Sequence, residues 1–379
     1  MVYSLISLVL SRLSLALQVI PALILTSVPG TCSFNHLSLT RMKYSILVTG
    51  LFLSLSGILN AQQPDSTSPA GKAKIYLRQG DYTNAIMLLN RASVSNPTDL
   101  EIQKDLAYAY YLKRDFVKGL EVAKPIVKRK DADVQSFQIL GMMFKAIEER
   151  KDCEKMYKEG LRRFPNSGVL YNEYGEMLWT KQEFANAVKQ WERGILSEPS
   201  YPGNYYNAAK FYYFSADKVW GILYGEVFIN LESYSQRTTE IQTQLIDGYK
   251  KLFTDPDIMK NQQNLTDFAK AVLENMRKNA GLVAGGISVE SLNKLRKAFI
   301  TDWYQKDATR FPYRLFEHQQ QLIKAGMFDA YNQWVFSAAN ASQYQQWAAN
   351  HTEEVNNFTN FQRNRVFKLP KGQYYQKIN

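Results

Sequence analysis

Residues 73–97 read AKIYLRQGDYTNAIMLLNRASVSNP: an amphipathic run, a Gly-Asp-Tyr turn, a second amphipathic run and a closing proline. The pattern returns along the chain with a period of 34 residues. Pro97, Pro165 and Pro199 close three blocks, and Asp131 closes the block between the first two of them. Because proline cannot continue a helix, these positions mark the block ends. We therefore predict a stack of two-helix units.

Small and aromatic residues keep the same register. Small residues recur at Ala85, Gly119, Cys153 and Ala187, and again at Ala107, Gly141 and Gly175, while rings stand at Tyr157 and Trp191. Small residues let two helices approach closely, and rings fill the groove between them. The period therefore predicts helix pairs that interlock.

This register resembles the tetratricopeptide repeat, which uses the same spacing. The resemblance covers residues 66–233, including a degenerate fifth block, and we assign 73–233 to the solenoid. It implies a solenoid of the tetratricopeptide-repeat (TPR) type. Together with the amphipathic sequence that follows, it leads us to predict an all-α fold in which a C-terminal α-helical bundle follows the solenoid. The whole chain resembles secreted or periplasmic bacterial proteins of this family, a likeness that supplies no activity.

Beyond residue 233 the sequence stays amphipathic but leaves the period. Residues 236–255 predict a helix that caps the last apolar face of the solenoid. Leu265, Phe268 and Val272 begin a second helical stripe, and residues 262–367 predict the bundle. We expect residues 368–379 to be a basic tail.

The first 61 residues hold Arg12, Arg41 and Lys43 and no acidic residue. From Met42 the pattern is typical of a signal peptide, with a basic start, an apolar run and a small residue, Ala61, before polar sequence. We interpret residues 42–61 as the signal peptide, 1–41 as an over-extended N-terminus and 62–72 as a linker.

The leader predicts a periplasmic or secreted protein. The alternative is anchoring by two N-terminal membrane helices, which also places the repeats outside the cytoplasm because basic residues prefer the cytoplasmic side. No cysteine follows Ala61 directly, so no covalent lipid anchor is expected.

The formal net charge is +11. Basic clusters at 128–130 and in the tail would favour an acidic partner or an anionic envelope surface. The interpretation that we favour is plainer, a solvated face at a repeat junction and a loose end. The export signal argues against nucleic acid as a partner.

Sequence motifs typical of catalytic, cofactor or metal sites are scarce. Cys153 is the one cysteine after the leader, and its place in the period predicts a buried structural thiol. His318 and His351 are the histidines of that part, and no HExxH, paired CxxC, GxSxG or phosphate loop occurs. We predict neither catalysis, nor a cofactor, nor a metal site.

In the family's geometry, the first helix of each pair lines the concave face. The resemblance therefore implies partner-binding residues at Lys104, Tyr108, Tyr111, Met142, Asn172, Trp179, Tyr206, Lys210 and Tyr213. The family's two-carboxylate clamp is absent, because Tyr108 stands where the clamp needs asparagine after Lys104. Rings mixed with lysine and amide groups suit an extended peptide or a partner helix. We predict a protein-binding scaffold of the cell envelope.

The alternative function is glycan binding by the C-terminal part. Residues 319–364 are rich in Asn and Gln, with Tyr331, Trp334, Tyr344 and Trp347 interleaved. Sugars stack on such rings and bond to such amides. Tyr331 and Trp334, however, lie on an apolar stripe, where core packing is the simpler interpretation.

Overall fold

The structure is a computed structural model that describes residues 68–255, 257–260, 262–263 and 265–377. Within these ranges it contains seventeen α-helices and two short 3-10 turns, and no strand. The prediction of an all-α fold is confirmed. The predicted leader and the first residues of the predicted linker lie outside the described part.

The first ten helices form five consecutive pairs, and each helix contacts the next. The pairs are α1 (Pro69–Gln79) with α2 (Tyr82–Ser95), α3 (Leu100–Leu112) with α4 (Phe116–Ile126), α5 (Val134–Ala146) with α6 (Arg150–Arg163), α7 (Gly168–Thr180) with α8 (Phe184–Ser197), and α9 (Pro202–Phe214) with α10 (Lys218–Leu231). The helix α1 begins inside the predicted linker, because Ser68 caps it and Pro69 suits the first helical position.

The second helix of a pair ends two residues before each periodic proline, at Ser95, Arg163 and Ser197. The second pair differs because it lacks that proline. There Pro125 sits in the last turn of α4, and the helix ends one residue later, at Ile126. The basic cluster at 128–130 therefore lies in a longer turn.

Within the pairs, a left-handed residue recurs every 34 residues. The positions are Gly80, Arg114, Glu148 and Gln182, with φ between 59° and 79°. Only the first is glycine, so the turn conformation persists where the sequence signal for it has gone. No described residue near position 216 has a positive φ, which is where the fifth pair departs from the others.

Small residues and rings interlock as predicted. A Cβ added to Gly141 would collide with the Tyr157 ring, and one added to Gly175 would collide with the Trp191 ring. These two contacts are equivalent positions one period apart. Cys153 is buried, as predicted, and burial raises the pKa of its thiol to about 12.

After the pairs, α11 (Gln236–Leu252) packs on α10 and is followed by six further helices. These are α12 (Asp267–Lys278), α13 (Val289–Lys306), α14 (Arg314–Lys324), α15 (Phe328–Val335), α16 (Ala341–Asn350) and α17 (Thr352–Asn364). One cluster of buried side chains runs from Ala107 to Leu369, and a smaller one lies in the first repeats. The bundle thus continues the apolar core of the solenoid.

The C-terminal segment is not the loose end that we expected. Phe367 and Leu369 are buried. The Tyr374 hydroxyl donates to the carboxylate of Glu192 at 2.6 Å, and Gln376 donates to the hydroxyl of Tyr212 at 3.1 Å. Aromatic and amide groups among the basic residues of the tail therefore attach it to α8 and α9.

Candidate partner-binding surface

The first helices of the pairs lie side by side, since α3, α5, α7, α9 and α11 contact one another in that order. We call the surface that they present the first-helix face. Its side chains recur in three rows: Lys104, Gln138, Asn172, Tyr206 and Glu240; Tyr108, Met142, Glu176 and Lys210; Tyr111, Lys145, Trp179, Tyr213 and Asp247. All nine predicted binding residues fall in these rows.

Hydrogen bonds between neighbouring repeats use many of the polar groups on this face. Gln138 donates to Glu173 at 2.9 Å. Asn207 donates to the side-chain oxygen of Asn172, also at 2.9 Å. Polar side chains of the first-helix face are therefore engaged with the neighbouring repeat.

Lys104 and Asn172 are buried, at 2% and 5% exposure. The Lys104 ammonium lies 2.6 Å from carboxylate oxygens of both Glu101 and Asp133. Burial alone would lower its pKa, but the hydrogen bonds to the two carboxylates outweigh burial and the pKa is raised. In this structure these two residues face the chain itself and not solvent.

The helix α11 contacts the binding residues that were predicted on the fifth pair. Lys210 pairs with Glu240 at 2.7 Å, and the Tyr206 hydroxyl donates to the same carboxylate. The Tyr213 hydroxyl donates to Asp247, and Lys251 lies 3.6 Å from the centroid of its ring. Half-buried and bonded, these side chains offer less to a partner than their position suggests.

Two rings in these rows are exposed, one on α3 and one on α7. Tyr108 is 37% exposed and Trp179 is 40% exposed. Tyr111 is half-buried and stacks on Tyr108, with ring centroids 6.2 Å apart, and Met142 is half-buried on the helix between. Trp179 is supported edge-on by Phe184, with centroids 4.6 Å apart. This part of the face presents apolar surface on rigid helices.

Sequence reasoning missed Glu173, which organises the same region. It accepts from Gln138 and from the Tyr157 hydroxyl at 2.8 Å, and it lies 3.5 Å from Lys145. Its equivalents one period away are Ile139 and Asn207, so the repeat pattern carried no signal for a carboxylate there.

The histidines occupy different surroundings. His318 is fully buried among rings, and neither of its ring nitrogens has a hydrogen-bond partner. Burial, with Arg365 and Arg314 nearby, lowers its pKa to about 2. His351 stacks on Trp347 with centroids 4.3 Å apart. No group of three or more potential metal ligands occurs within the part of the chain that the structure covers.

The rings that the glycan alternative needs are mostly engaged. Tyr331 is fully buried. Trp334 packs against Tyr331 and Phe358, with centroids 5.9 Å away in both cases. Trp347 has His351 on one face. Three of the four rings named for this alternative are therefore engaged within the chain.

These observations define a helical-repeat solenoid whose first-helix face carries exposed rings. The 34-residue pairs, their turns and their glycine-ring contacts are those of a solenoid of the tetratricopeptide-repeat type. No family model matches the chain. Over 127 residues, 33% of its length, the chain is 26% identical to tetratricopeptide repeat protein 21B of Mus musculus. The matched stretch spans about 10% of that relative.

Solved structures of TPR proteins are also similar. A thermophilic TPR protein of Thermus thermophilus matches with a TM-score of 0.40 and 17% identity, covering 47% of this chain and 97% of that one. YrrB, described as a TPR protein with an unusual peptide-binding site, matches with a TM-score of 0.33 and 13% identity, covering 49% and 87%.

The predicted signal peptide and the alternative membrane helices fall on residues outside the described ranges. Among the helices that the structure does describe, none has the length and apolar character needed to cross a membrane.

Proposed function

We propose that this protein is a non-catalytic scaffold that binds an extended polypeptide across Tyr108, Tyr111, Met142 and Trp179. The observation that carries the proposal is the exposure of the Tyr108 and Trp179 rings on a face whose polar groups are largely bonded within the chain. Rings of this kind give a large contact area at low entropic cost. Because the neighbouring polar groups are already hydrogen-bonded within the chain, a partner does not have to displace water from them.

The first test is a screen of random 12-residue peptides against the full chain. Peptides that the chain enriches should lose about tenfold or more in affinity to a Tyr108→Ala/Trp179→Ala variant, because both anchoring rings are removed. The matched control replaces two exposed tyrosines elsewhere, Tyr234 and Tyr304, with alanine. Affinity unchanged in the Tyr108/Trp179 variant, with helical circular dichroism intact, would contradict the proposal. Calorimetric heat with cell-wall fragments in the absence of peptide binding would instead favour the glycan alternative.

We propose further that the scaffold acts in the bacterial cell envelope. Support comes from residues 42–61, whose basic start, apolar run and terminal Ala61 are typical of a secretory leader. Edman sequencing of the protein purified from its source cells tests this. A mature start at or near Gln62 is the expected result, and a start at Met1 or Met42 would contradict cleavage.

A further inference from the structure

A cleft of about 910 Å³ opens between α4 and α6. Its floor is the α5 side chains Phe137, Leu140 and Phe144, which are spaced three and four residues apart and so share one side of that helix. Met142 and Lys145, the α5 members of the first-helix face, lie on another side of the helix. The cleft is therefore a surface separate from the proposed peptide site.

The walls of the cleft are strongly basic. Basic residues on the walls are Lys124, Lys128, Lys155, Lys158, Arg162 and Arg163, and the acidic ones are Asp152 and Glu159. We call this surface the basic cleft. An excess of positive charge in a concave site raises the local concentration of anionic partners.

Half of these cations already have internal roles. Lys158 pairs with Glu154 at 2.8 Å, and Arg162 pairs with Glu159 at 2.6 Å. Arg163 donates to backbone carbonyls of the long turn after α4, including that of Val127 at 2.8 Å. Arg163 thereby provides hydrogen-bond partners for the carbonyl groups of the turn that lacks the periodic proline. These bonds also hold one wall of the cleft in place.

The other three cations are free to meet a partner. Lys124, Lys128 and Lys155 are exposed, and none makes an ion pair with a residue in the described ranges. The ammonium nitrogen of Lys124 lies over the Phe144 ring, 5.7 Å from its centroid, and the side chain remains exposed at the edge of the apolar floor. Lys128 and Lys155 lie on opposite walls.

We propose that the basic cleft binds an acidic amphipathic helix of another protein. Carboxylates of that helix would meet Lys124, Lys128 and Lys155, and its apolar side would meet the lysine stems and Val127. A groove between two helices suits helix-in-groove recognition, and α6 with 14 residues is about 21 Å long, enough for a partner helix of three to four turns.

Two other anionic partners fit the surface less well. A membrane is broad and flat, whereas the free lysines line a concave site. Proteins bind single-stranded nucleic acid with a basic groove and with exposed rings on which the bases stack, and the rings of this cleft, Phe137 and Phe144, are buried. A protein helix is the class that uses both the charge and the concavity.

The test uses the full chain and a labelled 15-residue peptide with leucine at helical spacing on one side and glutamate on the other. We expect binding that weakens with salt, and a loss of about tenfold or more in the Lys124→Glu/Lys128→Glu/Lys155→Glu variant. The matched control is Lys250→Glu/Lys270→Glu/Lys294→Glu, which makes the same charge change at exposed lysines elsewhere. The control should stay within about twofold of the unmodified chain.

Four further measurements distinguish the proposal from its alternatives. A glutamate peptide without leucine should bind more weakly, and equal binding would overturn the amphipathic requirement. Vesicles containing phosphatidylglycerol should not compete for the cleft, and binding of vesicles in place of the peptide would overturn the proposal in favour of a lipid surface.

If the glutamate variant loses its helical circular dichroism, the corresponding glutamine triple variant replaces it, and unchanged peptide affinity there would overturn the proposal. The Tyr108→Ala/Trp179→Ala variant should bind the acidic peptide normally, which separates this site from the first-helix face.

Discussion

The carboxylate of Glu226 on α10 pairs with the guanidinium of Arg296 on α13, and both side chains are almost fully buried. Gln319 and the hydroxyl of Tyr331 also donate to Glu226, at 2.6 and 2.7 Å. Arg296 in turn donates to Asn332 at 2.5 Å. The last helix of the solenoid is thus joined to three helices of the bundle by one buried polar network.

Removing the positive charge from this network should destabilise the protein strongly. Replacing Arg296 with methionine leaves the Glu226 charge buried without its cation, and we expect a loss of roughly 3 to 5 kcal/mol in the free energy of unfolding. Urea denaturation followed by circular dichroism measures it. The double variant Glu226→Gln/Arg296→Met should recover part of the loss, because no buried charge remains. A double variant less stable than the single one would contradict this account.

A second buried carboxylate, Glu192, should make stability depend on pH. It accepts hydrogen bonds from Tyr212, Tyr224 and Tyr374, yet burial outweighs them and raises its pKa from 4.5 to about 7. Between these values the folded protein holds a proton that the unfolded chain has lost. This group therefore makes stability fall as pH rises from about 4.5 to 7, at about 1.4 kcal/mol per pH unit.

The variant Glu192→Gln has no titratable group at this position, so this contribution to the pH dependence of its stability should disappear. Relative to the unmodified chain, its free energy of unfolding should increase by roughly 3 kcal/mol between pH 4 and pH 8. Urea denaturation at several pH values gives the difference directly. A difference that stays constant with pH would show that the pKa of Glu192 is not raised.

The buried histidine should act in the opposite sense. His318 stays neutral in the folded protein because its pKa is lowered to about 2, whereas the unfolded chain takes up a proton below pH 6.5. Stability is therefore lost as pH falls below about 6.5.

Replacing His318 with phenylalanine removes this loss, and it also removes two buried nitrogens that lack partners. We expect the variant to be more stable by roughly 1 kcal/mol or more at pH 7, and by an increasing margin at lower pH. Thermal unfolding at pH 7 and pH 5 tests both parts. A variant that is less stable at both pH values would mean that the imidazole has partners in solution.

The glycine beneath Trp191 should tolerate no side chain. A methyl group at Gly175 would overlap the indole ring, so we expect Gly175→Ala to lower the free energy of unfolding by about 1 to 3 kcal/mol. Gly281→Ala is the control, since no described atom lies within 4 Å of the added carbon there. Equal stability of the two variants would show that α7 and α8 can separate at little cost.

The candidate site was predictable only where its residues follow the repeat register. The repeat register places Tyr108 and Trp179 on the first-helix face, and their prediction as partner-binding residues presupposed that they are exposed. The burial of Lys104 was not predicted, because it depends on Asp133 at the start of the next pair. The basic cleft was visible only as scattered lysines, since its walls come from different pairs.

The sequence by itself determined the helix pairs, because their caps, turns and glycine-ring contacts join residues less than one period apart. Asp99 caps α3 and Asp133 caps α5 through bonds to amides two or three residues away. Only the tertiary structure decided how the C-terminal helices and the tail attach to the solenoid. Glu226 meets Arg296 70 residues later, and Glu192 meets Tyr374 182 residues later. No local pattern encodes such pairs, because each side chain finds its partner only after the helices between them have packed.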